Sequence, residues 1–318
     1  MSFVLHNVDC LDWLVSQPAN TISAVVTDPP YGLIEFSEKE RGILRNGQSG
    51  GVWRIPPKLG GVERDPLPRF TILTEDEKKK LWKYMGDWAA ALCPVLVPGA
   101  HVCVAGNPSL QYLVQSALAE AGFEVRSAIM RLYVGLRGGD RPKLAEKEFP
   151  DVCVTPRGGY EPWMLFRKPI SERTVADNLR RWGTGGLRRL SGEKPLPDVI
   201  QSARTPDAEA NLSRHPTMKP QHLLRILVRA MLPLGNGVIL DTFAGSGSTL
   251  AAAEAVGYDS IGIELDQHYH DEATKLIPLL AKLYPGFTGD SLDQPSALLE
   301  PSNMPRKQPK ATRQHSLL

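Results

Sequence analysis

The sequence predicts an α/β fold with a mostly parallel sheet and helices on both of its faces. The first observation is that short β-branched runs alternate with segments of helical spacing along most of the 318 residues. This alternation is typical of parallel sheets, because a helix usually makes the crossover between parallel strands. The second observation is that two predicted strands end in motifs of Asp, Pro or Gly. Ligand sites of open α/β sheets lie at such strand ends.

Residues 1–170 are predicted to form the first half of one domain. A short segment of helical spacing at 9–14 precedes a β-branched strand at 22–27. Thr74 followed three residues later by Glu77 is a capping box, which predicts a helix that continues to about residue 92. The other predicted elements of this half are a strand at 100–105, a helix at 109–121 and two strands at 124–134 and 162–167.

Three segments depart from this pattern. Residues 36–73 are rich in Gly, Pro and Arg, which predicts a long functional loop inserted in the first half. Residues 171–213 lose periodicity and gain Arg, Gly and Pro, so we expect a region apart from the regular elements. Residues 288–318 are rich in Pro, Ser, Gln and Lys, a composition typical of a disordered tail.

Periodicity returns in residues 214–287, the predicted second half of the same domain. The predicted elements are a helix at 220–232, a strand at 238–241, a helix that follows a glycine-rich loop and continues to 256, a strand at 260–264 and a last helix at 266–283.

Composition excludes several classes of protein. No apolar run approaches the roughly 20 residues of a membrane helix, and the N-terminus predicts no export signal. The four cysteines form no CxxC pair, which argues against a disulfide framework or a structural zinc site and favours a reducing cytosol. Net charge is +2, but residues 131–190 hold 13 Lys and Arg against 7 Asp and Glu. This basic segment is a weak indication of a polyanionic partner.

A glycine-rich loop at 242–248 joins the strand that ends at Asp241 to a helix of small residues. Glycines let the backbone approach a ligand, and a helix N-terminus offers unpaired N–H groups. Glu264 ends the next predicted strand, where a carboxylate can accept hydrogen bonds from ribose hydroxyls. The pattern predicts a site for a nucleotide-like cofactor. The alternative is a tight turn that binds no ligand.

A proline-framed tetrapeptide, Asp28-Pro29-Pro30-Tyr31, follows the strand at 22–27. Two prolines remove two N–H donors, so the segment presents carbonyl oxygens and a carboxylate, which suits a primary amine. Tyr31 adds a flat face on which a base can stack. The alternative is an ordinary Asp-capped turn.

Together these motifs resemble those of the amino-group DNA methyltransferases, which use S-adenosylmethionine. The matching segments are D-P-P-Y at 28–31, F-A-G-S-G-S at 243–248, H-P-T-M-K-P at 215–220 and N-V-D-C-L at 7–11. Val8 stands where that family usually has glycine. The catalytic motif precedes the cofactor loop, which is the order of the β subclass. The resemblance implies a Rossmann-like methyltransferase fold with a circularly permuted motif order and 171–213 as the target-recognition region.

The resemblance also implies roles for individual residues. Asp28 and the Pro29 carbonyl would bind the target amine, with Pro30 shaping the segment and Tyr31 stacking on a base flipped out of duplex DNA. Glu264 would hold the ribose, Asp9 the adenine side, and Thr217 with Lys219 the methionine carboxylate. The full set of implied cofactor contacts is Asp9, Cys10, Asp28, Thr217, Lys219, Asp241, Phe243, Ala244, Gly245, Ser246, Gly247, Ser248 and Glu264. No metal is needed.

The implied reaction is methylation of adenine N6 at a specific site in double-stranded DNA. Cytosine-N4 methylation and a non-catalytic nucleic-acid binder remain alternatives, while a dinucleotide oxidoreductase would leave residues 28–31 unexplained. We expect a cytoplasmic, nucleoid-associated protein of bacterial or phage type, which could form a homodimer or act with a cognate restriction endonuclease. The expected DNA contacts are Arg180, Arg181, Arg188 and Arg189.

Overall fold

The computed structural model describes residues 3–30, 58–59, 62–63, 73–132, 139, 141–142, 144–213, 215 and 218–293. Most of the predicted insertion at 36–73 and the predicted tail from residue 294 lie outside these ranges, as do Tyr31 and Thr217.

A single eight-stranded sheet organises the described part of the chain, with strand order β1-β10-β9-β2-β5-β7-β6-β8. A separate antiparallel pair, β3 with β4, lies outside it. The strands are β1 Phe3–Asn7, β2 Ile22–Thr27, β3 Lys58–Leu59, β4 Val62–Glu63, β5 Leu96–Ala105, β6 Glu124–Leu132, β7 Tyr160–Arg167, β8 Val199–Gln201, β9 Val238–Asp241 and β10 Asp259–Glu264. Only the pairs β5·β7 and β6·β7 of the main sheet are antiparallel. The predicted α/β class with a mostly parallel sheet is therefore confirmed.

The described helices connect these strands. They are α1 Cys10–Ser16, α2 Glu75–Val95, α3 Gln111–Glu120, α4 Val175–Trp182, α5 Asp207–Ala210, α6 Gln221–Met231, α7 Ser248–Val256 and α8 Gln267–Lys282. The predicted capping box at Thr74 and Glu77 is confirmed, since each side chain accepts from the other residue's backbone N–H. None of the helices in the described ranges combines the length and apolarity that a membrane crossing needs.

Two large hydrophobic cores cover the two faces of the sheet, and a third, smaller one lies between α7, α8 and β1. Along β5, Val102 and Val104 belong to the core that contains Trp88 of α2, whereas Cys103 and Ala105 belong to the core of α6 and α7. Successive side chains of a strand point to opposite faces, so a strand buried on both faces reads as one continuous apolar run. Burial of all ten β5 residues agrees with this.

Strand direction gathers the chemistry-bearing motifs at one edge of the sheet. Because β1, β10, β9, β2 and β5 run parallel, the residues that follow them, among them Asp28, lie at their common carboxyl edge. Strand β7 runs the other way, and its first residues therefore lie at that edge too. Glu161 of β7 is paired in register with Arg131 near the end of β6. We call this edge the carboxyl edge.

Regular structure occurs in two places where the sequence analysis predicted none. Strand β1 is a short edge strand that pairs only with β10, so neither its length nor a flanking turn signal marks it. Region 171–213 contains α4, α5 and β8. Helix α4 has ordinary boundary signals, because Thr174 caps its first turn and Gly183 ends it with a left-handed φ of 73°. Strand β8 adds to the sheet edge beside β6.

A buried arginine joins α6 to the end of α8. Arg225 is 1% exposed, and its guanidinium donates to four backbone carbonyls at the end of α8 and just beyond. They belong to Leu280, Ala281, Tyr284 and Phe287. The last carbonyls of a helix have no partner within the helix, so the guanidinium satisfies groups that would otherwise be buried unpaired.

Replacing this arginine tests its structural role. Arg225→Met should lower the free energy of unfolding by about 3–5 kcal/mol, because several charge-assisted hydrogen bonds disappear and buried carbonyls lose their donors. Urea denaturation measures the change. Arg229→Met on the same helix removes a surface hydrogen bond to the Arg189 carbonyl and should cost less than about 1 kcal/mol. Equal losses in the two variants would contradict the assigned role.

Candidate active site

Asp28 stands directly after β2, next to the strand end that carries Asp241. Thr27, the last residue of β2, is fully buried, and its hydroxyl donates to Asp241 Oδ1 at 2.6 Å. This bond links the two strands on which the sequence motifs lie, although 214 residues separate them. The structure therefore brings the proline-framed segment and the glycine loop together, as the sequence predicts.

The ammonium of Lys219 lies between two carboxylates. Its Nζ is 2.9 Å from Asp28 Oδ2 and 2.8 Å from Glu161 Oε1, and all three side chains are largely buried. Burial disfavours the ammonium, but attraction from Asp28 and Glu161 outweighs this and raises the pKa of Lys219. A contact of Lys219 with the methionine carboxylate of a cofactor stays a prediction. The ammonium is engaged by carboxylates of the protein itself.

Glu161 is in turn held by two donors from the sheet. Arg131 Nη1 lies 3.1 Å and Trp163 Nε1 3.2 Å from Glu161 Oε2. Burial opposes ionisation of this carboxyl, but the two cations, Lys219 and Arg131, keep the pKa of Glu161 below its usual range. Arg131 Nη2 also donates to the Ala203 carbonyl at 2.7 Å. A connected chain of charges thus runs from β6 across β7 to Asp28.

The glycine loop is shaped for close approach of a ligand to its backbone. Gly245 and Gly247 adopt left-handed φ angles of 51° and 75°. A Cβ at Gly247 would lie 2.5 Å from Ile277, so a larger residue there would clash with the core. It would also be strained by the left-handed backbone conformation. Helix α7 begins directly after Gly247, and no side chain caps its N-terminus. Its first N–H groups suit an anionic or polar ligand group.

Glu264 closes the loop from the end of β10. Its Oε2 accepts from Gly245 N at 2.7 Å and its Oε1 from Asp266 N at 2.9 Å. Burial raises the pKa of this carboxyl, and the two amide bonds partly offset the rise. The ring of His215 also lies against the loop, because its Nε2 would be 2.8 Å from a Cβ at Gly245. The predicted association of the segment at 215–220 with this loop is thereby supported at His215.

Asp241 is a buried carboxylate at the centre of the carboxyl edge. Its Oδ1 accepts from Thr27 and from Phe243 N at 3.1 Å. Burial raises the pKa of Asp241 to about 6; its hydrogen bonds oppose the rise and the nearby charge of Asp28 adds to it. A displaced pKa at a cleft is a property of functional sites.

Two aromatic residues that the sequence analysis did not single out, Tyr84 and Trp88 of α2, pack against the glycine loop. Phe243 of the loop lies with its ring centroid 6.3 Å from that of Tyr84 and 6.0 Å from that of Trp88. Cys10 Sγ lies 3.5 Å from the Tyr84 hydroxyl. No local sequence signal indicated that α2 would reach the loop.

Asp9 has a structural role at the start of α1. Its Oδ1 accepts from Leu11 N at 2.7 Å, which caps the N-terminus of this helix. This places Asp9 at the carboxyl edge after β1, and a cofactor contact by its side chain stays a prediction. Within the described residues, no group of three or more His, Cys, Asp or Glu could hold a metal ion.

The four arginines expected to contact DNA lie away from Asp28. Helix α4, with Arg180 and Arg181, packs at the start of β5, where Asn178 donates to the Pro98 carbonyl. Arg188 donates to the hydroxyl of Tyr258, just before β10 begins. Arg189 accepts at its carbonyl from Arg229, near the end of α6. All four therefore lie at the opposite edge of the sheet, where β5 and β10 begin, which we call the amino edge. Their role in DNA contact stays a prediction, and this placement does not support it.

Comparison with known proteins identifies relatives along most of the chain. The model of a family described as DNA methylase, N6_N4_Mtase, matches residues 22–275. The chain is 22% identical over 272 residues to the type II methyltransferase M2.DpnII of Streptococcus pneumoniae, covering 86% of this chain and 88% of that protein. It is also 22% identical over 290 residues to the type II methyltransferase M.HindIII of Haemophilus influenzae, covering 82% and 90%.

Two solved structures share the fold. The cytosine-N4-specific PvuII DNA methyltransferase superposes with a TM-score of 0.56 at 16% identity, covering 92% of this chain and 90% of that chain. The complex of M1.HpyAVI with SAM superposes with a TM-score of 0.54 at 17% identity, covering 87% and 99%.

The raised pKa of Asp241 predicts a pH-dependent cost to stability. With a pKa of about 6 in the folded protein and about 3.9 in the unfolded chain, the folded state binds more protons between these values, so stability falls as pH rises through them. Asp241→Asn removes this term. Its stability relative to the wild type should rise between pH 4 and pH 7, by on the order of 3 kcal/mol.

Urea denaturation at several pH values measures this difference. The exposed carboxylate of Asp12 provides the control, because Asp12→Asn removes the same charge outside the site. A difference between wild type and Asp241→Asn that stays constant with pH would contradict the prediction.

Proposed function

The chain belongs to the N6/N4 DNA methylase family, and from its site we propose that it transfers a methyl group from S-adenosylmethionine to the exocyclic N6 of adenine in duplex DNA. The observation that carries this proposal is the acceptor array of Asp28 and the two following prolines, set beside the glycine loop through the bond between Thr27 and Asp241. The family match supports DNA methyl transfer, and the roles of individual residues are our proposal.

At the target, Asp28 and the Pro29 carbonyl would accept the two N–H groups of the amine. These bonds pull the nitrogen toward tetrahedral geometry and aim its lone pair, so catalysis depends on positioning and on preorganised charge. Asp28 is also the carboxylate placed to take the proton that the amine gives up. A paired base cannot reach such a site, so we propose that the base is flipped out and stacks on Tyr31, which lies outside the described residues.

For the cofactor, the residues of the glycine loop fit the chemistry required. When bound, S-adenosylmethionine supplies an electrophilic methyl group on a sulfonium. The uncapped α7 N-terminus offers N–H groups to its methionine part, the left-handed glycines let the backbone come close to the ligand, and Glu264 offers a carboxylate to the ribose. Cys10 and Phe243, with Tyr84 and Trp88, provide an apolar wall for the adenine. The remaining proposed contacts are Asp9, Asp28, Asp241, Ala244, Ser246, Ser248 and Thr217.

The choice of adenine follows from the sequence motif. The resemblance associates D-P-P-Y more often with adenine, whereas S-P-P-Y or S-P-P-F is favoured for cytosine-N4. Cytosine-N4 is the alternative, because the N6 edge of adenine and the N4 edge of cytosine both present an amine beside a ring acceptor. One solved structure of this fold is that of a cytosine-N4-specific methyltransferase.

The site of DNA contact is proposed from strand direction. Residues 133–159 connect the last residue of β6 to the first residue of β7, and both of these strand ends lie at the carboxyl edge. We propose that this segment, with the insertion at 36–73, contacts the duplex. Restriction–modification is the proposed setting, because the two relatives are type II methyltransferases.

Nucleoside mass spectrometry of DNA incubated with protein and S-adenosylmethionine tests the reaction. We expect N6-methyladenine; N4-methylcytosine alone would favour the alternative. Asp28→Ala should lower the rate of methyl transfer by about 10²–10³, the scale of losing one transition-state acceptor, with cofactor and DNA binding nearly intact. The exposed Asp259 at the amino edge provides a control, Asp259→Ala. Activity of Asp28→Ala within tenfold of wild type would contradict the assignment.

The ribose assignment of Glu264 has its own test. Glu264→Ala should weaken S-adenosylmethionine binding by roughly 1.5–3 kcal/mol, the scale of charge-assisted hydrogen bonds. Isothermal titration calorimetry measures the affinity, with the exposed Glu120→Ala on α3 as control. Unchanged affinity in Glu264→Ala would move the ribose site elsewhere.

A further inference from the structure

The chain of buried charges that ends on Asp28 has no place in the proposed reaction. It runs from the Ala203 carbonyl through Arg131, Glu161 and Lys219 to Asp28. Removing charges from water is costly, and a buried ion pair often contributes little to stability compared with apolar side chains. Stability alone is therefore a weak reason for so many buried charges beside a reacting group.

Asp28 has a second carboxylate as well as a cation near it. The carboxylate of Asp241, on the neighbouring strand, is close enough for Asp28 to raise its pKa, and this repulsion acts in both directions. An ionised carboxylate accepts N–H bonds more strongly than a neutral carboxyl group, which is itself partly a donor. Lys219 supplies the compensating charge at 2.9 Å from Asp28 Oδ2.

We propose that Lys219, anchored by Glu161, is a positioning residue that holds the Asp28 carboxylate ionised and in a fixed orientation for the target amine. This inference rests on the proposed function. Its anchor does not move with Asp28, because Glu161 is fixed in β7 by Arg131 and by Trp163. Lys219 thus connects the Asp28 carboxylate, which lies just beyond the end of β2, to a residue held within the sheet.

The charged groups around Lys219 come from several elements. Asp28 follows β2, Glu161 lies on β7 and Arg131 on β6, with Asp241 of β9 beyond Asp28. Glu209 is near the same cluster, because the positive charge of Arg131 acts to lower the pKa of Glu209. Of these, Asp28 and Glu161 contact the ammonium directly, so loss of the ammonium removes the cation that lies 2.9 Å from Asp28 Oδ2.

The first test is the pH profile of methyl transfer. In Lys219→Met the pKa of Asp28 should rise, so activity should be lost on the acidic side at a pH roughly 1–3 units higher than in wild type, and recover as pH rises. Lys219→Arg keeps a cation and should retain the wild-type acidic limb. KM for S-adenosylmethionine should stay within about threefold while kcat falls, because the cofactor loop is untouched.

Two further variants separate positioning from general damage. Glu161→Gln removes the anchor but leaves a cation beside Asp28, so kcat should fall without an upward shift of the acidic limb. Lys168→Met makes the same substitution in a lysine at the amino edge, where Nζ donates to the Leu96 carbonyl, and should leave the profile unchanged. An acidic limb in Lys219→Met that coincides with that of wild type overturns the proposal.

A readout without activity covers the case in which Lys219→Met folds poorly. If Lys219 compensates Asp28, then adding Asp28→Asn to Lys219→Met removes an uncompensated charge and should raise the midpoint of urea denaturation. The same Asp28→Asn change in the wild-type background should lower it. The same direction in both backgrounds overturns the pairing. Wild-type protein that methylates no DNA would refute the proposed function, and the denaturation comparison would still decide the role of Lys219.

Discussion

The site depends on the parallel alignment of β2, β9 and β10, which brings three carboxylates to one edge of the sheet. Asp28, Asp241 and Glu264 each follow or end one of these strands. Such an arrangement repels itself unless each charge is compensated locally, because screening by salt is weak for buried groups. The surrounding structure provides that compensation in two forms, which are hydrogen bonds from neutral groups and an ion pair.

Amides and a hydroxyl satisfy the two carboxylates on the cofactor side. Glu264 accepts from Gly245 N and Asp266 N, and Asp241 from Thr27 and Phe243 N. Such dipoles leave the pKa of both carboxyls raised, a cost in stability of the folded protein. Asp28, by contrast, has a full positive charge at hydrogen-bond distance. Under the proposed function this difference is expected, because a charged carboxylate is the stronger acceptor for an incoming amine.

The sequence predicted the motifs of the site but not the residues that support them. Asp28, Gly245 and Glu264 stand in local sequence patterns that indicate their chemistry, because each lies at the end of a predicted strand or in the glycine-rich loop after one. Glu161 and Arg131 do not, because each is a single charge inside a strand and their pairing depends on the register of β6 with β7. The position of the arginines of region 171–213 at the amino edge could not be predicted for a related reason. Composition records that a segment is basic, whereas only packing determines which edge of the sheet it reaches.

The order of motifs along the chain matters less than the order of strands in the sheet. The glycine loop follows Asp28 by more than two hundred residues, yet β9 lies directly beside β2. Loop closure over such a separation costs only a slowly growing entropy, so a long connection between the two halves is tolerated if the sheet pairs them firmly. That pairing is made by backbone hydrogen bonds and by both large apolar cores, neither of which depends on which half comes first. A permuted chain can therefore present the same edge, provided that the strands that carry Asp28 and Asp241 remain neighbours and run in the same direction.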